Sequence, residues 1–224
     1  MPKVYLSPSN QTENRYAYGS TNEAEQCGRI ADACRIALER SGVTVKLGHM
    51  PSMQEKVRAS DAFGAELHVP IHTNAFNGSV MGTRMFCYNT GKGMAACKAI
   101  FARVAPLSPG TSESIQVNPK LYEVRVPKAP TAYIECEFHD TVEGARWIVE
   151  NAAAIGEAIA RGICDCFGVT FVESELPKPA QPEQPAEQKL YRVQVGAFAS
   201  RANAEKMVQR LKAAGFDAFI RQDV

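Results

Sequence analysis

Two carboxylates on one predicted strand are the first residues of this sequence that could carry chemistry. The pattern of residues 131–138 predicts a strand in which Tyr133, Glu135 and Glu137 share one face and apolar side chains share the other. Carboxylates on such a strand are costly to bury unless they meet a cation, a metal or solvent. The pair indicates either an edge strand with two solvated glutamates or a general base at a metal site. The pattern alone leaves both interpretations open.

Two histidines lie on a second predicted strand, over residues 66–72. His72 ends this strand and precedes a polar loop, which is a position suited to a metal ligand. His68 lies four residues earlier on the same face, about 13 Å away along a strand. That separation is too long for both imidazoles to bind one ion, so His68 is interpreted as a packed histidine. Pro70 predicts that this strand lies at an edge, contains a bulge or stops pairing early.

Three further side chains near predicted element ends are candidates. His139 directly follows the 131–138 strand and could point into the same crevice as its carboxylates. His49 is interpreted as a surface loop residue. Glu23 stands three residues after Ser20 at the start of a predicted helix, and this spacing favours a capping-box glutamate.

Strand and helix patterns alternate along the first 172 residues, which predicts an α/β fold with a mostly parallel sheet and helices on both of its faces. In such sheets the site lies at the carboxyl ends of strands. Residues 106–126 show no clear period and are interpreted as a substrate-facing insertion. Strands are predicted at 3–6, 43–47, 66–72, 82–89 and 131–138, and helices at 22–40, 53–63, 93–104 and 142–166.

A Pro/Gln/Glu-rich stretch at 173–189 divides the chain, because it cannot bury enough apolar surface to fold. It is predicted to link a domain over 1–172 to a small module over 190–224. The module is predicted to be a strand (190–196), a helix (about 201–214) and a second strand (216–221), a small βαβ unit.

The composition excludes several classes of protein. In the 224 residues, Lys and Arg number 25 and Asp and Glu number 24, which argues against a strongly basic nucleic-acid binder. No apolar run approaches the about 20 residues of a membrane helix. The seven cysteines include no CxxC pair, and we interpret them as small buried hydrophobes in a reducing compartment.

The order of five segments resembles the zinc-dependent N-acetylmuramoyl-L-alanine amidase family, the type-3 amidases. The segments are VYLSPSNQ, then GSTNE before a helix, then LHVPIHTNA, GTRMFCYN and AYIECEFHD. The resemblance covers residues 2–168 and implies hydrolysis of the amide between N-acetylmuramic acid and L-alanine in peptidoglycan. It further implies that Glu23 and His72 are zinc ligands and that Glu135 is the catalytic glutamate.

The chain departs from the family at the expected first ligand. The family has Asp-Pro-Gly-His-Gly after its first strand, whereas this chain has Ser-Pro-Ser-Asn-Gln, with Asn10 in the place of the histidine. A neutral amide is a poor zinc ligand beside imidazole or carboxylate. His139, His68 and Asn10 are the candidates for the third ligand, and His139 is favoured because it lies just beyond Glu135.

The C-terminal module resembles one half of a SPOR domain, which implies binding to cell-wall glycan. The residues that carry the resemblance are YRVQVGAF from Tyr191, then Asn203-Ala204-Glu205 and Ala214-Gly215-Phe216. A complete SPOR domain has two strand–helix–strand halves, so self-association through this half is a further expectation.

Together the resemblances predict a zinc hydrolase of the endolysin or autolysin type. No signal peptide is recognised at the N-terminus, so release through a holin or by lysis is expected. The alternatives are a wall-binding protein with a degenerate amidase domain and, from a third class, a thiol hydrolase that uses Cys136 or Cys87.

Overall fold

A computed structural model describes residues 1–174, 195–216 and 218–220. It divides into two units, Met1–Glu175 and Leu176–Val224. In the described residues, no helix combines the length and the apolar character that a membrane crossing requires.

The first unit is built on a six-stranded sheet with the order β2-β1-β3-β6-β4-β5. Neighbouring strands are parallel except for β4 and β6, which pair in antiparallel fashion. This confirms the predicted mostly parallel sheet. The strands are β1 (Lys3–Pro8), β2 (Thr44–Leu47), β3 (Leu67–Asn74), β4 (Arg84–Cys87), β5 (Ser114–Val117) and β6 (Tyr133–Phe138).

Helices cover both faces of the sheet. The apolar core lies on one face, where α1, α3 and α5 pack on Val4, Val69, Ile134 and their neighbours. On the opposite face, side chains of α2 and α4 contact His68 and the end of β1. The helices of this unit are α1 (Glu23–Arg40), α2 (Met53–Phe63), α3 (Lys92–Val104), α4 (Tyr122–Arg125) and α5 (Val142–Phe167).

Pro70 does not mark an edge strand, because β3 lies between β1 and β6. Because Pro70 has no backbone N–H, it instead interrupts the hydrogen-bond ladder between β3 and β6. On the β6 side, an isolated bridge joins His68 to Thr131 and regular pairing resumes only at Ile71. The strand continues to pair as far as Asn74, with a register shift between His72 and Asn74. The expectations of an edge and of an early end to pairing are therefore wrong, and an irregularity of the bulge kind is present two residues past Pro70.

The segment 106–126 contains more regular structure than its sequence pattern indicates. It includes β5 and α4, and it begins within a 3-10 turn at Ala105–Leu107. The side chain of Glu123 in α4 is buried against the sheet. This segment thus completes the sheet and covers part of its second face.

In the second unit the predicted helix is present as α6 (Arg201–Ala213). The described residues that flank it, 195–198, 216 and 218–220, have no regular secondary structure. Most of the predicted linker 173–189 and most of the first predicted strand, 190–196, lie outside the described residues.

Candidate active site

Glu23 and His72 form a buried pair at the carboxyl-end side of the sheet. The Oε1 atom of Glu23 lies 2.8 Å from Nδ1 of His72. Asn22, not Ser20, caps α1, since its side chain accepts a hydrogen bond from the backbone N–H of Glu25. The capping-box interpretation of Glu23 is therefore wrong, and its carboxylate is free to bind the imidazole.

Neighbouring side chains hold this pair in place. Asn14 Nδ2 donates to Oε2 of Glu23 at 2.6 Å, and the ring of Tyr133 stacks on His72 with centroids 4.7 Å apart. Burial opposes ionisation of Glu23, but the bonds to His72, Asn14 and Ser9 hold its pKa below the ordinary value. Glu23 is therefore a carboxylate at neutral pH.

Glu135 lies beside this pair. It is in register with His72 on β3 and with Arg84 on β4, so the three side chains form a row across one face of the sheet. Since β6 is a central strand, the interpretation as an exposed edge is wrong. Burial raises the pKa of Glu135 to about 7, and the nearby negative charge of Glu23 adds to the effect, while His72 and Arg84 oppose it.

Glu137, the second carboxylate of the strand, has a structural role. Its Oε1 accepts from the backbone N–H groups of Gly82 and Phe138, at 2.6 and 2.7 Å, and Ser108 donates to Oε2. Because its oxygens are used in this way, Glu137 ties the loops before β4 and after α3 to β6.

Among the described residues, His139 is not grouped with Glu23 and His72 as a metal-binding set. Its Nδ1 lies 2.9 Å from Oγ1 of Thr73, and its ring stacks on Tyr16 at 5.0 Å. Successive side chains of a strand point to opposite faces, so Thr73 and His72 leave β3 in opposite directions. Burial lowers the pKa of His139, which favours a neutral, packed ring.

His68 is a packed histidine, as predicted. It is fully buried and stacks on Tyr5. Its Nδ1 lies 3.0 Å from Oγ of Ser60, and its Nε2 lies 3.2 Å from Oε1 of Glu123. Both ring nitrogens are engaged, which leaves neither for a metal ion.

Asn10 and Gln11 occupy different surroundings. The side chain of Asn10 donates to the carbonyl of Pro51 at 2.7 Å. Nε2 of Gln11 instead lies 3.4 Å from Nδ1 of His72 and 3.5 Å from Oε1 of Glu23. Sequence reasoning missed Gln11, and the only signal was its position directly after Asn10.

A thiol nucleophile has no support in the structure. Cys136 is fully buried on the core face of β6, and burial raises its pKa well above the ordinary value. Burial also raises the pKa of Cys87. All seven cysteines lie in the described residues, and all are free thiols.

A glutamate–histidine pair beside a carboxyl group that titrates near neutrality is a site of the hydrolytic class, placed where open parallel sheets carry their sites. Residues 5–165 match the family N-acetylmuramoyl-L-alanine amidase, and residues 178–224 match the SPOR domain. The chain therefore belongs to the N-acetylmuramoyl-L-alanine amidase family. The predicted class of peptidoglycan hydrolase is confirmed, and the non-catalytic alternative is not favoured.

Two curated relatives are similar to this chain over most of its length, and a solved structure shares its fold. The sporulation-specific N-acetylmuramoyl-L-alanine amidase of Bacillus subtilis is 24% identical over 228 residues, which span 98% of this chain and 84% of that protein. The amidase CwlM of Bacillus licheniformis is 25% identical over the same length, covering 98% of this chain and 85% of that protein. The catalytic domain of CwlV from Bacillus (Paenibacillus) polymyxa var. colistinus superposes with a TM-score of 0.68 at 15% identity, covering 76% of this chain and all of that one.

Glu23, His72 and the carboxamide of Gln11 are donors that fit a divalent cation. Within the part of the chain that the structure describes, no three His, Cys, Asp or Glu side chains are grouped to hold a metal. Glu23 and His72 are two good zinc ligands, and Gln11 adds an amide beside them. Buried Nε2 of His72 and Oε2 of Glu135 also lack a hydrogen-bond partner among the described residues.

Proposed function

We propose that this protein cleaves the amide bond between the lactyl group of N-acetylmuramic acid and L-alanine in peptidoglycan, with zinc as its cofactor. The observation that carries the proposal is the 2.8 Å contact between Glu23 and His72 with Glu135 in register on the adjacent strand. Family membership supports the same reaction.

Glu23 and His72 are the residues that would hold the zinc ion. When bound, zinc supplies a Lewis acid for the scissile carbonyl and lowers the pKa of a water molecule. Because the ionised carboxylate of Glu23 accepts from Asn14 and contacts His72, both ligands are oriented before any ion binds.

Glu135 transfers the proton of the reaction. Its Oε2 lacks a hydrogen-bond partner among the described residues and accepts the proton of the attacking water. The water oxygen bonds to the carbonyl carbon, the carbon–nitrogen bond breaks, and Glu135 returns the proton to the leaving amine nitrogen of L-alanine. A pKa near neutrality suits both steps, and a nearby divalent cation would bring this raised pKa down again.

The test is the Glu135→Gln variant, assayed for release of stem peptides from purified sacculi. Release is expected to stop while about one zinc ion per chain is retained, because Glu135 moves the proton and does not hold the ion. Glu150→Gln, an exposed carboxylate on α5, is the matched control and is expected to keep full activity. Retained activity in Glu135→Gln would remove Glu135 from this role.

The SPOR match supports a second contact with the wall, at glycan strands. Tethering the amidase unit to glycan raises its local concentration at the substrate without changing the chemical step. We place its site of action at the cell wall, after release from the producing cell. Self-association through the C-terminal module belongs to the same proposal, and sedimentation of the full chain tests it.

A further inference from the structure

The loop after β1 presents a carboxamide to the Glu23–His72 pair. Nε2 of Gln11 lies 3.4 Å from Nδ1 of His72, 3.5 Å from Oε1 of Glu23 and 3.5 Å from Oγ of Ser9. Three polar atoms thus surround one end of this amide. Asn10, the preceding residue, is directed to Pro51 and takes no part in the cluster.

The two separations of Gln11 from the pair match those between ligands that share an ion, whereas Oε1 of Glu23 and Nδ1 of His72, 2.8 Å apart, make a hydrogen bond that an ion between them would replace. Ordinary hydrogen bonds from nitrogen to oxygen are about 2.9–3.0 Å long, so the amide of Gln11 makes only weak ones to the pair. Two ligands at about 2.0–2.2 Å from a tetrahedral zinc ion lie about 3.4 Å from one another. The amide of Gln11 stands at this distance from both Glu23 and His72.

The amide oxygen, which is the donor a cation needs, can reach this position. The terminal torsion of a glutamine is soft, and half a turn exchanges its oxygen and nitrogen. In the structure Oε1 of Gln11 accepts from Nδ2 of Asn14 at 3.1 Å. The turn gives up that bond and brings the amide nitrogens of Gln11 and Asn14 together, a cost that coordination has to offset, while Asn14 keeps its bond to Oε2 of Glu23.

We propose that Gln11 supplies the third protein donor of the metal site through its carboxamide oxygen, in place of an imidazole. The inference rests on the proposed function, in which Glu23 and His72 hold a zinc ion. The side chain of Gln11 is exposed at the mouth of the site, which leaves room for water beside the ion. A neutral oxygen donor holds zinc more weakly than imidazole does.

The experiment compares the full chain with Gln11→His, Gln11→Ala and Asn10→His. Zinc affinity is measured by competition with a chromophoric chelator, and the number of imidazole ligands is measured by X-ray absorption at the zinc edge. Gln11→His is expected to bind zinc about tenfold more tightly or better, a gain of about 1.4 kcal/mol. Its imidazole count is expected to rise from one to two, and Gln11→Ala is expected to bind more weakly than the wild type.

Asn10→His is the matched control, because it adds the same imidazole one residue away, where the side chain points to Pro51. Its affinity and imidazole count are expected to stay at the wild-type values. Tighter binding in Asn10→His, unchanged binding in both Gln11 variants, or two imidazoles in the wild type would each overturn the inference. A wild-type chain that binds no zinc would overturn it as well.

Stem-peptide release from sacculi, assayed in parallel, separates this inference from the proposed function. If the affinities follow the expectation and the wild type releases no peptide, the function fails and the inference stands. If the wild type is active and the Gln11 variants bind zinc as it does, the inference alone fails.

Discussion

Replacing Glu135 with glutamine is expected to make the metal-free protein more stable at alkaline pH. Burial raises the pKa of Glu135 from 4.5 to about 7, so the folded state disfavours the ionised carboxylate. Between pH 4.5 and about pH 7 the folded state binds more protons than the unfolded state, so the free energy of unfolding falls as the pH rises. At 1.36 kcal/mol for each pH unit, the cost above pH 7 approaches about 3 kcal/mol.

A neutral glutamine does not carry this cost. The variant is therefore expected to exceed the wild type by about 1–3 kcal/mol above pH 8 and to match it within about 0.5 kcal/mol at pH 4.5. Urea unfolding in the presence of a chelator, at several pH values from 4.5 to 9, measures the difference. Glu150→Gln, which replaces an exposed carboxylate on α5, is the matched control.

The result that would refute the reasoning is a difference between Glu135→Gln and the wild type that does not change with pH. It would mean that the carboxyl group of Glu135 ionises as easily in the folded chain as in the unfolded one. Its burial beside the negative charge of Glu23 would then have no energetic consequence.

Two further predictions concern the scaffold of the site. A Cβ on Gly156 of α5 would lie 2.5 Å from the carbonyl oxygen of Ile30 on α1, so Gly156→Ala is expected to cost about 1–3 kcal/mol of unfolding free energy in urea. Gly28→Ala on α1 meets its nearest atom at 3.8 Å and is expected to be neutral or stabilising by up to about 1 kcal/mol, and equal losses in both would contradict this account. Glu123→Gln is expected to cost about 3 kcal/mol at pH 7, because Glu123 is buried and bonds to His68 and Ser7. Burial opposes ionisation of Glu123, but these bonds hold its pKa below the ordinary value, so the difference should shrink as pH falls below about 4.5. Urea unfolding from pH 7 to pH 3 measures it, and a difference that grows on acidification would contradict the assignment.

Much of the fold could be predicted from local pattern. The helix predicted at 53–63 forms over those residues, and Ala132, Ile134 and Cys136 face the core as predicted. Phe138 follows a register shift between β3 and β6, lies outside the core cluster and has the guanidinium of Arg84 over its ring. Helical periodicity and strand alternation depend on neighbours along the chain, which the sequence displays directly. The segment 106–126 escaped prediction because β5 is short and α4 has only four residues, too few to show a period.

The site was harder to predict from the sequence than the fold, because its geometry depends on contacts between distant segments. His139 and His72 both lie at strand ends. His139 contacts Thr73, however, and the side chains of Thr73 and His72 alternate along β3, so they leave the strand on opposite faces. Glu23 is available to bind His72 because Asn22 takes the capping position of α1. Neither outcome is visible in a spacing of residue types.

By itself, the sequence determined the class of fold, the order of the elements and the identity of the carboxylate and imidazole groups, because these follow from periodicity and from motifs within single segments. Only the tertiary structure decided that Glu135 belongs to a central strand and that Gln11, one residue past the expected position, faces the Glu23–His72 pair. The physical reason is that Glu23 and His72, 49 residues apart, meet only after a helix and two strands have packed, and that packing fixes which neighbouring side chain can reach them.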